Sequence, residues 1–218
     1  MQSGRDWDST MANYEAVIFD MDGTLTVPML DFAGIRRELG LPSGTDIMVQ
    51  LEALTEDERR NAWAIIHHHE HEAMKRQTLQ PGTQPLLERC RREAIALALL
   101  TRNARASVDS LCRRFTLHFD GIATRESPAV KPSADAVHQL LDPLSIAPAN
   151  ALVVGDFLYD LQCGKAAGTA TCFFHNAGCP DFSAQADVSV SSMQELEVVI
   201  FGRRTNECAC NRARQSSG

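Results

Sequence analysis

Two aspartates with one residue between them stand directly after an apolar run in this 218-residue chain. The string FDMDGTLT places Asp20 and Asp22 behind Ala16–Phe19, a run typical of a buried strand. In extended backbone both carboxylates fall on one side of the chain, and Gly23 lets the backbone turn away behind them. Two carboxylates at one centre suit a nucleophile that works beside a general acid and base. An isolated Asp-Gly pair would be an ordinary turn, but its place after a buried strand favours a reactive site.

Three more groups of polar residues follow apolar runs or precede helical segments. They are Thr101, Arg102 and Asn103 after LALL, Lys131 in VKPSADAVHQL, and Asp156 and Asp160 in GDFLYD after ALVV. Taken singly, a threonine at a strand end is more often a helix cap, Lys-Pro is common in loops, and acids after a strand can cap a helix. Their positions at strand ends are also those at which open parallel sheets bind ligands.

Apolar runs without alternation predict a parallel sheet that is covered on both faces. The runs lie at 15–20, 95–100, 151–154, 169–174 and 187–190, and helical patterns lie at 84–92, 104–115, 134–141 and 160–167. Strands that alternate with helices indicate βαβ units. We therefore expect an α/β fold with a Rossmann-like, doubly wound parallel sheet.

Between the first strand and the next βαβ unit the pattern is helical only. Helices are predicted at 31–39, 46–54 and 55–78, the last with a capping box formed by Thr55 and Glu58. This predicts a small all-helical cap, residues 29–80, inserted after the first strand into a catalytic core of residues 14–28 and 81–204. Residues 1–13 and 205–218 are expected to be disordered tails. The turn LPSGT, residues 41–45, either reaches the leaving group or only connects two helices.

Composition excludes several classes of partner. The chain has 21 basic and 28 acidic residues, a net charge of −7, and so lacks the basic surface that nucleic-acid binding requires. No apolar run approaches the roughly 18 residues that indicate a membrane helix. Seven scattered cysteines suit reduced thiols, so we expect a cytoplasmic protein. His67 and His71, four residues apart on the third cap helix, are expected to lie on a polar helix face rather than at a metal.

Together these motifs resemble the haloacid dehalogenase-like hydrolases, in particular their phosphoglycolate phosphatase and β-phosphoglucomutase group with a helical cap. The resemblance rests on FDMDGTLT, Thr101, Lys131 and GDFLYD, continuing into DLQCGKAAG, in the family's order, and covers about residues 14–201. It implies the strand order 5-4-1-2-3. Three departures are Phe157, where the family often has Ser or Thr, Ala134 after Lys-Pro-Ser, and TVP at 26–28. None removes a reacting group, so they bear on the substrate rather than on the chemistry.

The resemblance implies a Mg²⁺-dependent phosphomonoester hydrolase that acts on a small phosphorylated metabolite through an aspartyl-phosphate. Asp20 would be the nucleophile and Asp22 the general acid and base, a residue that family members cleaving carbon–halogen bonds lack. Mg²⁺ would be bound by Asp20, the Asp22 carbonyl, Asp156 and Asp160. The implied phosphate-binding positions are Met21, through its backbone, Thr101, Arg102, Asn103 and Lys131. A phosphomutase of the same family and a catalytically silent binding or regulatory protein are the alternatives.

Overall fold

The computed structural model describes residues 14–28, 31–177 and 179–202. Both predicted tails, 1–13 and 205–218, and the first two residues of the predicted cap lie outside these ranges. Within them, a parallel sheet carries helices on both faces, and three helices follow the first strand. The predicted fold class, a Rossmann-like α/β fold with a helical cap after the first strand, is confirmed.

Six strands, all parallel, make up the sheet. They are β1 (Ala16–Phe19), β2 (Ala96–Leu100), β3 (Gly121–Ala123), β4 (Ala151–Gly155), β5 (Ala170–Phe174) and β6 (Val188–Val190). Their order is β3-β2-β1-β4-β5-β6. The order 5-4-1-2-3 therefore holds for β1 to β5, but only because β3, which the apolar runs did not reveal, is the third strand. β3 has three residues, two of them only half-buried, and is too short for an apolar run.

Eight α-helices are described. They are α1 (Phe32–Glu38), α2 (Ile47–Glu52), α3 (Glu56–Arg76), α4 (Thr83–Arg92), α5 (Arg105–Phe115), α6 (Asp135–Leu141), α7 (Leu158–Ala167) and α8 (Met193–Phe201). Each of the seven predicted helices lies within three residues of one of them at both ends. The eighth, α8, follows β6 and was not predicted.

β1 occupies the middle of the sheet and is buried on both faces. Val17 and Phe19 point into an apolar cluster that includes side chains of α4, α5 and α8. Ala16 and Ile18 point to the opposite face, into a cluster with side chains of α6 and α7. Burial on both faces explains why β1 reads as a continuous apolar run, and it fixes the position of the residues that follow Phe19.

The cap helices α1, α2 and α3 pack around an apolar cluster of their own. Its buried members are Ile35, Ile47, Leu51, Ala62 and Ile66. Asp46 caps α2 by accepting from the N–H groups of Met48 and Val49. Thr55 and Glu58 form the predicted capping box at the start of α3. The division of the chain into a core and a cap domain at residues 29–80 stays a prediction.

Within the described ranges, no helix combines the length and the apolar character that crossing a bilayer demands. The five cysteines in those ranges are free thiols. Burial raises the pKa of Cys90, Cys163 and Cys172 to about 12 in each case. These three thiols therefore act as small apolar packing groups rather than as nucleophiles.

Candidate active site

Asp20 is the first residue beyond β1, and its side chain is almost fully buried. Its N–H donates to the carbonyl of Val154 at 2.9 Å, which continues the β1–β4 pairing by one residue. Its Oδ1 accepts from Nζ of Lys131 at 2.5 Å, and the same Nζ donates to Oδ1 of Asp160 at 2.6 Å. Lys131 therefore joins the end of β1 to the first turn of α7, which follows β4.

The turn after β1 depends on Gly23. Its φ is +87°, in the left-handed region, and a Cβ there would lie 2.0 Å from Oδ2 of Asp156. Thr26 closes the turn, and its Oγ1 donates to Oδ1 of Asp22 at 3.2 Å. Only glycine combines this backbone conformation with so close an approach. Gly23 therefore lets Asp22 and Asp156 lie at the same site.

Gly155 has a corresponding position at the end of β4. A Cβ on Gly155 would lie 2.1 Å from Cγ of Asp160. Oδ2 of Asp160 accepts from the N–H of Phe157 at 3.1 Å, which fixes that carboxylate at the start of α7. One carboxylate oxygen each from Asp20, Asp156 and Asp160 lies within 4.8 Å of the other two. The two strand ends therefore gather three carboxylates at one point.

This concentration of charge shifts the pKa of the groups involved. Burial, followed by the carboxylates of Asp20 and Asp160, raises the pKa of Asp156 to about 8. Burial raises the pKa of Asp160 to about 6 against the opposing effect of Lys131. Burial would lower the pKa of Lys131, but the carboxylates of Asp160 and Asp20 outweigh it and raise that pKa. Lys131 therefore stays positively charged, but its single positive charge cannot neutralise three carboxylates.

The three carboxylates fit a hard divalent cation. Such ions prefer oxygen ligands. The raised pKa of Asp156 favours a proton on its carboxyl group, and a bound cation would take the place of that proton. In the part of the chain that the structure describes, no other group of acidic, histidine or cysteine side chains has the spacing of a metal site. His67 instead lies beside the cap carboxylate of Glu70, with its Nδ1 3.6 Å from Oε2.

The residues that follow β2 form hydrogen bonds with different parts of the protein. Thr101 is buried, and its Oγ1 accepts from the N–H of Asn103 at 3.1 Å, which leaves the hydroxyl proton for another acceptor. Arg102 points to the cap, where its Nη1 donates to Oδ2 of Asp46 at 3.2 Å. Met21, predicted to act through its backbone, buries its side chain in the core.

A cavity of about 320 Å³ connects these strand ends to the cap. All of the predicted site residues except Met21 line it. The cap contributes an apolar wall with a few polar groups: Phe32, Ile35, Ile47, Met48, Ile66, Arg36, Gly44, Thr45, Asp46 and Glu70. The turn LPSGT thus reaches the cavity through its last two residues. The volume lies at the lower end of the roughly 300–1,000 Å³ of small-molecule sites.

Asp46 ties the cap to the core at the edge of this cavity. Its Oδ2 accepts from the hydroxyl of Tyr159 at 2.6 Å as well as from Arg102. Burial would raise the pKa of Asp46, but the hydrogen bonds from Tyr159 and Arg102 outweigh it and lower that pKa. Asp46 is therefore a carboxylate that serves both as the cap of α2 and as a contact to two core side chains.

Asn176, which the sequence analysis did not select, supports the site from the end of β5. Its Nδ2 donates to the carbonyl of Gly23 at 2.6 Å and to Oδ2 of Asp156 at 3.1 Å. Nε2 of Gln80 donates to its Oδ1 at 3.0 Å and so fixes the orientation of the amide. Asn176 follows β5 much as Asp156 follows β4, and the same search of strand ends would have found it.

The parallel sheet and the carboxylates at its strand ends define a Rossmann-like α/β protein with a candidate active site at those strand ends. The family model described as haloacid dehalogenase-like hydrolase matches residues 34–174. A haloacid dehalogenase-like hydrolase domain-containing protein of Arabidopsis thaliana is 34% identical over 199 residues, which cover 83% of this chain and 81% of the relative. The chain therefore belongs to the haloacid dehalogenase-like hydrolases, and the resemblance drawn from the motifs is confirmed.

Two further proteins are similar to this chain. A phosphoglycolate phosphatase of Chromobacterium violaceum is 27% identical over 215 residues, covering 85% of this chain and 96% of the relative. The crystal structure of CbbY from Rhodobacter sphaeroides in complex with xylulose-1,5-bisphosphate has a TM-score of 0.61 and 24% identity, covering 84% of this chain and 96% of that one. The structural likeness concerns the fold. With the family assignment, the predicted enzyme class of a phosphatase-type hydrolase is confirmed.

Proposed function

We propose that the chain is a Mg²⁺-dependent phosphomonoester hydrolase that acts on a small phosphorylated metabolite through an aspartyl-phosphate on Asp20. The observation that supports this best is the ammonium of Lys131, held between Asp20 and Asp160 beside the carboxylate of Asp156. A cation placed there can hold a phosphoryl group against an anionic nucleophile. The named activities of the relatives agree with this reaction. A cytoplasmic location belongs to the same proposal and rests on the free thiols.

In the first step, the second carboxylate oxygen of Asp20 attacks phosphorus while Lys131 holds Oδ1. The bond from phosphorus to the ester oxygen breaks as the new P–O bond forms, and Asp22 donates a proton to the departing oxygen. Thr26 donates to Oδ1 of Asp22 and so orients the carboxyl group that carries this proton. In the second step, Asp22 takes a proton from water, and the water oxygen attacks phosphorus. Phosphate leaves, and the carboxylate of Asp20 is restored.

The equatorial oxygens of the phosphoryl group would be held by donors from two strand ends. Thr101 offers its hydroxyl proton, Lys131 its ammonium, Met21 its backbone N–H group and Asn103 its side-chain amide. Because the guanidinium of Arg102 is hydrogen-bonded to Asp46 of the cap, we assign only the backbone of Arg102 to phosphate binding. Charge that develops on the phosphoryl oxygens is thus met by donors fixed before the reaction.

Asp20, the carbonyl of Asp22 and Asp156 would hold Mg²⁺, with Asp160 beside them. Bound Mg²⁺ supplies positive charge to the phosphoryl oxygens and keeps the nucleophilic carboxylate ionised. Asn176 fixes one oxygen of Asp156 in the orientation that this role needs.

An assay of the purified protein against a panel of phosphomonoesters, with inorganic phosphate as the readout, tests the proposal. We expect phosphate release that requires Mg²⁺, stops in excess chelator and is absent in Asp20→Asn. Asp109→Asn, which removes an exposed carboxylate on α5 outside the cavity lining, is the matched control and should remain active. A phosphomutase would isomerise its substrate without net phosphate release, and a binding protein would release none. Full activity in chelator, or in Asp20→Asn, contradicts the proposal.

A further inference from the structure

Two aromatic side chains that line the cavity are exposed. Phe157, at the start of α7, is 44% exposed, and Phe32, the first residue of α1, is 51% exposed. In the ranges that the structure describes, no other phenylalanine, tyrosine or tryptophan is exposed to this degree. Single exposed apolar residues are ordinary on a protein surface, but these two line one cavity, from the core and from the cap. The exposed aromatic surface is therefore concentrated at the candidate active site.

Other aromatic rings hold Phe157 in place. Its ring centroid lies 5.3 Å from that of Tyr159 and 5.2 Å from that of Phe182, with interplanar angles of 76° and 78°. Phe182 in turn packs edge to face against Phe173 of β5, whose side chain is buried. Edge-to-face contacts of this kind are a favourable arrangement of aromatic rings. Phe157 therefore presents a fixed and partly exposed ring to the cavity.

Phe32 is not part of the packing of the cap. The apolar cluster that joins α1, α2 and α3 includes Ile35 of the same helix but not Phe32. Tyr159 is the third aromatic residue of the cavity lining, but the guanidinium of Arg102 already lies over its ring, 5.1 Å from the centroid. Phe32 and Phe157 are therefore the two rings of the lining with exposed surface for a ligand.

We propose that Phe157 and Phe32 bind an aromatic ring on the leaving portion of the substrate, so that the preferred substrates are phosphomonoesters of alcohols that carry such a ring. This inference rests on the proposed phosphatase function and names the class of its leaving group. The ring would lie between the core wall and the cap wall, while the phosphoryl group lies at Asp20 of the same cavity. Contacts between aromatic rings stabilise a complex beyond the apolar area that they bury, so two aromatic walls favour an aromatic ring over an aliphatic one.

The rest of the cap wall suits the same ligand. Ile35, Ile47 and Ile66 line the cavity with buried aliphatic side chains, and an apolar ring against them leaves water. Phe157 stands where the family often has serine or threonine, and neither of these residues has a ring to offer. The proposed contact is thus a property of this chain rather than of the reaction that the family shares.

Three esters separate aromatic contact from apolar area: 2-phenylethyl phosphate, 2-cyclohexylethyl phosphate and ethyl phosphate. In the first two, two methylene groups separate the ring from the ester oxygen, so the three leaving alcohols differ little in acidity. A cyclohexyl ring is at least as apolar as a phenyl ring, so buried area alone does not favour the phenyl ester. We expect kcat/KM for the phenyl ester to exceed that for the cyclohexyl ester by about two- to tenfold, the effect of an aromatic pair, and that for ethyl phosphate by about tenfold or more.

Leucine variants test the two rings. Phe157→Leu removes the ring but keeps an apolar side chain and the backbone N–H that donates to Asp160. In Phe157→Leu and in Phe32→Leu, the preference for the phenyl over the cyclohexyl ester should fall by about twofold or more. Phe115→Leu is the matched control, because Phe115 ends α5 outside the cavity lining, and there the preference should not change. No preference for the phenyl ester in the unmodified protein, or an unchanged preference in either Phe157→Leu or Phe32→Leu, overturns the inference.

Equilibrium binding separates this inference from the proposed function. Calorimetry with Asp20→Asn in Mg²⁺ measures the affinity for the same three esters without turnover. Tighter binding of the phenyl ester that is lost when Phe157→Leu is added supports the inference even if the unmodified protein releases no phosphate. Phosphate release with equal affinity for the phenyl and cyclohexyl esters supports the hydrolase and overturns the role of the two rings.

Discussion

Arg125 and Glu70 form a forked, two-bond ion pair that joins the sheet to the longest cap helix. Arg125 follows β3 in the core, and Glu70 lies on α3. Their side chains are 13% and 8% exposed, and the guanidinium of Arg125 also lies over the ring of Trp63 at 4.8 Å. Together with the contact between Asp46 and Arg102, this pair holds the cap over the cavity.

Arg125→Met should therefore be strongly destabilising. The substitution leaves the carboxylate of Glu70 buried without its partner, which typically costs about 3–5 kcal/mol of unfolding free energy. The double variant Arg125→Met/Glu70→Met removes both charges and should recover part of that loss. Urea unfolding measures all three proteins. Arg60→Met is the control, because Arg60 pairs with Asp57 at 71% and 88% exposure and should contribute only about 0–1 kcal/mol. Equal losses of unfolding free energy in Arg125→Met and Arg60→Met would show that the buried pair contributes no more to stability than the exposed pair.

Gly23→Ala should abolish Mg²⁺-dependent activity beyond its effect on stability. Gly23 and Gly168 have nearly the same backbone, with φ of +87° and +84°, but a Cβ at Gly168 meets nothing within 4 Å. Each substitution to alanine should cost about 1–2 kcal/mol of left-handed strain. Only at Gly23 does the new Cβ also displace Asp156. Urea unfolding and a Mg²⁺ titration of activity on both variants test this, and an active Gly23→Ala protein with normal Mg²⁺ dependence would contradict it.

Asn176→Ala should weaken the metal site without removing a ligand. Loss of the hydrogen bond to Asp156 frees that carboxylate to rotate, and losses of this kind typically lower metal affinity by about 10–100-fold. We expect the Mg²⁺ concentration for half-maximal activity to rise by that factor, while turnover at saturating Mg²⁺ is largely kept. Asn150→Ala, in the turn before β4 and outside the cavity lining, is the control. A lower turnover at every Mg²⁺ concentration, with an unchanged midpoint, would assign Asn176 to substrate rather than to metal.

Mg²⁺ binding should become tighter as pH rises towards 8. The pKa of Asp156 is raised from 3.8 to about 8 in the metal-free protein, so the folded state keeps a proton that the unfolded state has lost. The metal-free protein should therefore lose stability between about pH 4 and pH 8. Mg²⁺ must displace this proton, so its affinity should rise by up to roughly tenfold per pH unit and level off above that pKa. Calorimetric titration with Mg²⁺ at pH 6, 7, 8 and 9 measures how the affinity changes with pH. An affinity that is the same at pH 6 and pH 8 would contradict the raised pKa of Asp156.

The sequence was most informative where one physical cause dominated. Burial on both faces makes β1, β2, β4 and β5 continuous apolar runs, and the polar residues that follow them stand out for that reason. This is why Asp20, Thr101 and Asp156 could be selected before any geometry was known. β3 is too short to leave such a signal, whereas Asn176 follows the apolar run of β5 and was within reach of the same reasoning.

Contacts between the cap and the core could not be predicted from the sequence in the same way. Asp46 and Arg102 are 56 residues apart, and Glu70 and Arg125 are 55 apart, so no local periodicity links them. Arg36 and Arg37 are neighbours on α1, and the sequence does not show that only Arg36 lines the cavity. Such pairings depend on how helices pack rather than on the pattern within any one helix.

A crystal structure with Mg²⁺ and beryllofluoride, a mimic of a phosphoryl group on a carboxylate, tests the assignment of Asp20 as the nucleophile most directly. We predict beryllium bonded to a carboxylate oxygen of Asp20, the ammonium of Lys131 beside the fluorides, and Asp22 unmodified with its side chain directed at the open face of the adduct. Asp20→Asn should neither form this adduct nor release phosphate. An adduct on Asp22, or no carboxylate adduct in a protein whose Asp20→Asn variant still hydrolyses phosphomonoesters, would contradict the proposed mechanism.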